Sequence, residues 1–377
     1  MPDFQVEPGA IDGFSKLVAR AAESSTKAVS YVDQAKIDRA GGGHLFDMVA
    51  GDHDHYVSEA KKALGKAQKV LDSSGRELAK AATYYRSTDH DSAAKIDATY
   101  PGSKVPGGQS DGGGADDFSD SSDAADVLKA PSDPSNPIVK YAMGHVDEYK
   151  MSPVQKTLGS ILDLGSPSAM AVEASKLLFD FDPFGEVTNW IVGDWNNYND
   201  CAEIWSNLGS FCESVSANVK KGTSNVGITW DGNAADAATV YFDEFMQKLG
   251  EFKETFESLR QCYAEGAQLA FQFAEFLKSF IVMFSDMLVI WLVNLAAAQA
   301  VNLIPVGGQA ASIAMFALCA AEAIRIMQLW AEAAKAFDTM ASALSALALA
   351  MSAAVNGFSA ADGFPEVDSA GYDHRAV

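Results

Sequence analysis

Positive charge is scarce in this chain. Against 50 Asp and Glu stand 28 Lys and Arg, a formal net charge of −22. A nucleic-acid binder needs a cationic face to displace counterions, and a protein docking on anionic lipid headgroups needs one too, so the charge argues against both functions. What such a charge does supply is solubility. Cysteine is scarce as well: Cys201, Cys212, Cys262 and Cys319 show no Cys-x-x-Cys spacing. That argues against a zinc site, and four cysteines are too few for a disulfide framework in 377 residues. The opening Met1-Pro2-Asp3-Phe4-Gln5-Val6-Glu7 has no cationic n-region and no apolar h-region, so no Sec-type signal peptide is expected. No Ser-His-Asp or Cys-His arrangement, glycine-rich phosphate loop or convincing carboxylate pair stands out. Asp52-His53-Asp54-His55 has metal-ligating residue types, but adjacent residues on a helix splay apart. Catalysis, a cofactor and a bound metal are therefore not expected.

What is present is helix-forming sequence. The composition is 48% hydrophobic with only 12 Pro, and Ala-rich stretches recur. This predicts an all-α protein of long antiparallel helical hairpins packed as a bundle. Residues 1–100 read as the first hairpin. Phe14, Leu17, Ala21, Ala28, Val32 and Ala35 recur at helical spacing, Arg39-Ala40-Gly41-Gly42-Gly43 breaks the pattern, and it resumes from Tyr56 to Tyr85. Residues 101–135 are rich in Gly and Asp and nearly devoid of large apolar groups, which predicts a flexible acidic linker. A calcium loop would need an Asp-x-Asp-x-Asp-Gly register with a closing Glu, and there is none.

A second helical region covers 136–358, followed by a flexible tail over 359–377. Its first part is punctuated by Pro137, Pro153, Pro167 and Pro183. Trp195, Tyr198, Ala202, Trp205, Leu208, Cys212, Val215 and Val219 then mark one helix face. Lys220-Lys221-Gly222 suits that helix's C-terminus. A turn holding Trp230-Asp231-Gly232 leads into a return helix with Tyr241, Phe245, Leu249, Phe252, Phe256, Leu259 and Tyr263. Cys201 and Cys262 fall on the two arms at mirrored distances from the turn, which suits a disulfide or equally a pair of buried thiols. From Met287 to Ala321 no charged residue occurs, and Pro305-Val306-Gly307-Gly308 splits the run in two. The first part is barely long enough to span a bilayer, and Asn294, Gln299, Asn302 and Gln309 would be costly in lipid unless paired. A buried hairpin or an oligomer interface is the favoured reading. The rival is a membrane-active or pore-forming effector using helices over 280–330.

Two short motifs stand out by position. Trp230-x-Gly232 lies between two helices of an antiparallel pair, where glycine lets the chain reverse and the indole caps the open end. Tyr85-x-x-x-Asp89 lies near the end of the first hairpin's second helix, and a spacing of four puts phenol and carboxylate on one helical face. An acid there opposes the helix dipole, which favours a recognition role.

Residues 1–100, opening on Phe4-Gln5-Val6-Glu7-Pro8 and closing on Tyr85-Arg86-Ser87-Thr88-Asp89, resemble the Esp-type family associated with type VII (ESX) secretion. The stretch from about 195 to 280 resembles the WXG family, through Trp195-Asn196-Asn197-Tyr198 and Trp230-Asp231-Gly232-Asn233-Ala234-Ala235. The region 182–350 is similar to the N-terminal regions of actinobacterial WXG-type proteins. The resemblance implies a secreted or envelope-associated substrate, exported without a Sec signal. In that family Trp-x-Gly on one hairpin and Tyr-x-x-x-Asp/Glu on its partner form a bipartite signal read by the secretion ATPase. Carried over, Trp230 and Gly232 form one half and Tyr85 and Asp89 the other, within one polypeptide. The two hairpins are then expected to dock as an intramolecular pseudo-heterodimer. The implied partners are that ATPase and a dedicated chaperone; a homo-oligomer is compatible, nucleic acid is not, and membrane contact is the less favoured reading.

Overall fold

The computed structural model describes residues 4–100, 117–131, 167–305 and 307–365. The fold is all-α, with a single two-stranded antiparallel ribbon among the described residues. Helix α1, Pro8–Tyr31, starts with proline in its first turn, where the missing N–H would have no partner anyway. Its stripe Ile11, Phe14, Leu17, Val18, Ala21 and Ala28 is buried, chiefly against α3, His53–Ser87. The buried face of α3 is rich in alanine, at Ala60, Ala63, Ala67, Ala81 and Ala82. Such small side chains let two helices approach closely, and Ser15 Oγ donates to the Gly75 carbonyl at 2.8 Å across the seam.

The glycine break between these helices holds a short helix α2, His44–Ala50. Gly43 N donates to Val192 O at 2.6 Å, and a Cβ at position 43 would fall 2.2 Å from Asn189 O. That glycine therefore serves a close backbone approach as well as a bend. After α3 comes α4, His90–Asp97, and further on α5, Pro167–Phe179, and α6, Pro183–Ile191. Pro167 and Pro183 thus open helices; Pro137 and Pro153 lie outside the described residues.

The second hairpin pairs α7, Trp195–Val226, with α8, Asn233–Asn302. α8 is continuous over 70 residues, about 105 Å at 1.5 Å per residue. Helix α9, Gly308–Val355, returns along it after Leu303. The end of α7 differs from expectation. Gly222 is buried within the helix, where a Cβ would meet the Phe14 ring at 2.6 Å, while Lys221 binds Asp117 at 2.9 Å. The glycine there accommodates a neighbouring ring and does not cap the helix.

The two hairpins pack against each other. From the end of α3 back towards its start, Tyr85 meets Trp230 in the turn before α8, Ser74 Oγ meets the Tyr241 hydroxyl at 2.8 Å, and His53 Nδ1 meets the Tyr263 hydroxyl at 2.6 Å. Such a ladder is what antiparallel helices produce. Phe14 sits edge-on to Phe242 at 4.8 Å, and Tyr198 stacks on Tyr263 at 4.5 Å. The aromatic stripe read from the sequence is core, worth about 0.5–1.5 kcal/mol per ring pair beyond burial itself.

Two expected boundaries and one expected burial are corrected. Residues 117–131, placed in the flexible linker, form a strap laid along α1 and α7. Arg20 binds Asp120 at 2.8 Å, Asn218 Oδ1 accepts from Ser121 N at 2.7 Å, and Tyr31 donates to Lys129 O at 2.5 Å. Phe118 covers Gly13, where a Cβ would lie 2.2 Å from its ring. Asp117 and Asp120 are docked because Lys221 on α7 and Arg20 on α1 face them. The remainder of 101–135 lies outside the described residues.

The expected tail begins too early, since Asn356–Gly363 is a 3-10 helix. Phe358 packs on Phe256 at 4.9 Å, Phe364 stacks on Phe245 at 5.2 Å, and Asp362 pairs with Lys66. These rings close the apolar side of α8. Positions 366–377 lie outside the described residues.

The third correction concerns the charge-free run. It forms a hairpin, and of the two expectations, a buried hairpin or an oligomer interface, its low burial overturns only the first. The apolar windows on α8 and α9 are long and apolar enough to cross a membrane by length and composition, and only 28% and 17% of them is buried in the fold.

Candidate functional site

The two motifs meet where the first hairpin closes onto the turn of the second. Strand β1, Gln5–Val6, pairs antiparallel with β2, Trp230–Asp231, in the register Gln5–Asp231 and Val6–Trp230. Glu7 N extends the ribbon by donating to Thr229 O at 2.9 Å. The opening Phe4-Gln5-Val6-Glu7 therefore clamps the Trp-x-Gly turn from outside. Two residues of ladder are marginal alone, so the rings beneath must hold them. Trp230 is 2% exposed and Tyr85 8%, and their rings meet edge to face at 6.3 Å and 67°. Phe4 adds a ring 6.2 Å from Tyr85. Burial raises the Tyr85 phenol to about 12, the Asp97 carboxylate adds to the rise, and the Trp230 indole N–H offsets part of it. Trp230 Nε1 makes no hydrogen bond of good geometry with any described residue. At neutral pH Tyr85 is an uncharged hydroxyl held against an indole.

Asp97, which the sequence reading did not single out, completes the site. Its carboxylate accepts from Asn233 N and Ala234 N, each at 2.9 Å, and is 5% exposed. These are the first amides of α8, which helix geometry leaves without partners. The N-cap residue Gly232 has no side chain to serve them, so the cap comes from the other hairpin. Gly232 is constrained twice: its φ is +138°, and a Cβ would lie 2.7 Å from Asp97 Oδ2. A glycine at an N-cap signals that an acceptor must come from elsewhere. Which of the 50 acidic side chains supplies it is a tertiary question.

Asp89 does not share a helical face with Tyr85. Helix α3 ends at Ser87, Thr88 is extended, and Asp89 opens α4 as its N-cap, accepting from Ser92 N at 3.0 Å. That hydrogen bonding holds its carboxyl below the usual range. The sequence Thr88-Asp89-His90-Asp91-Ser92 prefers a new helix start to a continued helix, since Asp is a strong N-cap. One motif member is thus buried against Trp230, and the other is exposed on the surface beside it.

The expected choice between a disulfide and two thiols falls to the thiols. Cys201 and Cys262 are both free and buried, and burial among aromatic rings pushes both upward. Within Asp52–His55 the side chains part company. His53 is buried between Tyr263 and the Ala35 carbonyl, Asp54 binds Arg39, and His55 faces Glu59. Among the described residues no group of three His, Cys, Asp or Glu side chains is placed to hold a metal. No family model, curated protein or solved structure matches the chain.

Proposed function

We propose that the protein is a substrate of a type VII (ESX) secretion system, exported as a folded bundle and acting afterwards by binding or assembly, not by catalysis. The observation that carries this reading is the contact of Tyr85 with Trp230 between two hairpins of one polypeptide, with Asp89 exposed beside it. The fold supports a division of labour. Trp230, Gly232, Asp97 and Tyr85 build the junction, and Asp89 with the surface of α4 is what a secretion ATPase or a dedicated chaperone touches. The destination is the cell envelope or the medium.

The test follows from the difference in burial. Trp230→Ala would remove a 2%-exposed indole and damage the fold, so lost export would be ambiguous. Asp89→Asn keeps a good capping acceptor while removing the charge. Export is measured as protein in culture supernatant against cell lysate, in an actinobacterium with an active system. The Asp89→Asn variant should accumulate inside the cell with unchanged helicity and melting temperature. Normal export of both Asp89→Asn and Tyr85→Ala would overturn the signal.

A further inference from the structure

The far end of the α8–α9 hairpin is apolar on its outer face as well as its inner one. In a water-soluble helix pair the inner faces are apolar and the outer faces polar. Here Ile290, Val293, Leu303, Ile304, Ile313 and Leu318 are 50–82% exposed. Gln299, Asn302 and Gln309 are exposed too, but several polar groups pair across the hairpin. Asn294 Nδ2 donates to Glu322 Oε1 at 2.8 Å, Ser312 Oγ to Asn302 Oδ1 at 3.2 Å, and Trp291 Nε1 to Cys319 O at 3.1 Å. Between exposed Asp286 and exposed Arg325 the only Asp, Glu, Lys or Arg is Glu322, which is Asn294's partner. The backbone is helical on both arms, so it brings few unsatisfied amides with it.

We infer that this hairpin is a docking element for a lipid bilayer with electrically neutral headgroups, entering turn first. Three observations favour hydrocarbon over a protein partner or a second copy. The exposed apolar residues lie on both helices and on the turn, so they clothe the hairpin's end instead of forming one patch. A protein interface covers one side, whereas a solvent covers all of them. The pairing of Asn294 with Glu322 and of Ser312 with Asn302 satisfies part of the polar groups that would be costly in hydrocarbon. From Met287 to Leu303 the arm measures about 25 Å at 1.5 Å per residue, short of the roughly 30 Å hydrocarbon thickness. The hairpin therefore dips into the bilayer from one side, leaving Asp286 and Arg325 at the water line. Neutral headgroups are specified by the chain's net charge of −22, which an anionic surface repels. The inference stands apart from the export reading, because purified protein tests it.

The full-length chain is floated with phosphatidylcholine vesicles on a density gradient. Wild type should rise with the vesicles, and adding anionic phosphatidylserine should weaken the association. Val293→Glu combined with Ile313→Glu alters two exposed positions and should leave the helical circular-dichroism spectrum unchanged. It should lower vesicle binding by at least about tenfold, the least expected of a charge placed in hydrocarbon. All four native cysteines are buried, so Leu303→Cys accepts an environment-sensitive dye selectively. Its emission should shift to the blue when phosphatidylcholine vesicles are added. Wild type that stays at the bottom of the gradient with no dye shift overturns the inference. So does tighter binding to anionic vesicles, or self-association in vesicle-free buffer that the double variant abolishes, which would give the face to a second copy.

Discussion

Replacing Asp97 by Ala should loosen the start of the longest helix without touching either motif. The carboxylate serves two amides of α8, Asn233 N and Ala234 N, both at 2.9 Å, from a position that is 5% exposed. Loss of an N-cap side chain costs about 0.5–2 kcal/mol. The negative charge at a partly buried helix N-terminus adds about 0.3–2 kcal/mol. Two amides left in a site closed to water move the sum towards the upper end, so the expected loss is about 2–4 kcal/mol. Denaturant midpoints read the global effect, and hydrogen exchange at residues 233–236 reads the local one. Gly232→Ala separates the contributions further. A methyl there meets Asp97 Oδ2 at 2.7 Å and also suffers the φ of +138°. Removing Asp97 relieves the first strain and not the second, so the double variant should be less damaged than the two single losses added together. Additivity within about 0.3–0.5 kcal/mol, or unchanged exchange at 233–236 in Asp97→Ala, would refute the assigned cap.

Three further outcomes follow from the same geometry. Burial lowers the pKa of His53, whose ring nitrogens contact the Tyr263 hydroxyl and the Ala35 carbonyl. The native state therefore holds it neutral, its contribution is complete above the unfolded value of about 6.5, and stability falls as pH drops below that. Denaturant midpoints at pH 7.5 and 5.5 should differ more for wild type than for His53→Gln. Gly13→Ala places a methyl against the Phe118 ring and should cost about 1–3 kcal/mol. It should expose the 117–131 strap, read as new protease cuts there; unchanged protection refutes the docking. Burial raises the Cys201 thiol and pushes Cys212 up to about 12. Neither should react with iodoacetamide at pH 8 until the protein is unfolded, and aerated protein should show no Cys201–Cys262 bridge on a non-reducing gel.

Local pattern determined a large part of this protein. Apolar residues at steps of three and four suffice to define α1, α3, α7 and α8, because burying one stripe is the dominant favourable term for a helix of that length. Trp230-Asp231-Gly232 is legible as a turn, since glycine alone tolerates the backbone found there. The exposed apolar hairpin is visible as a run without charge, although its direction of exposure is not. Tertiary structure decided what a residue's neighbours are. Gly222 looked like a helix end and is the space a Phe14 ring fills. Asp117 and Asp120 looked solvated, and Lys221 and Arg20 from two distant helices hold them. Asp89 looked like the face-mate of Tyr85, and the preference of Asp for an N-cap turned it outward. Asp97 had no signal of its own, because a helix cap borrowed across more than a hundred residues leaves no periodicity. Periodicity records which side of a helix is buried; what it is buried against is set only when the two hairpins meet.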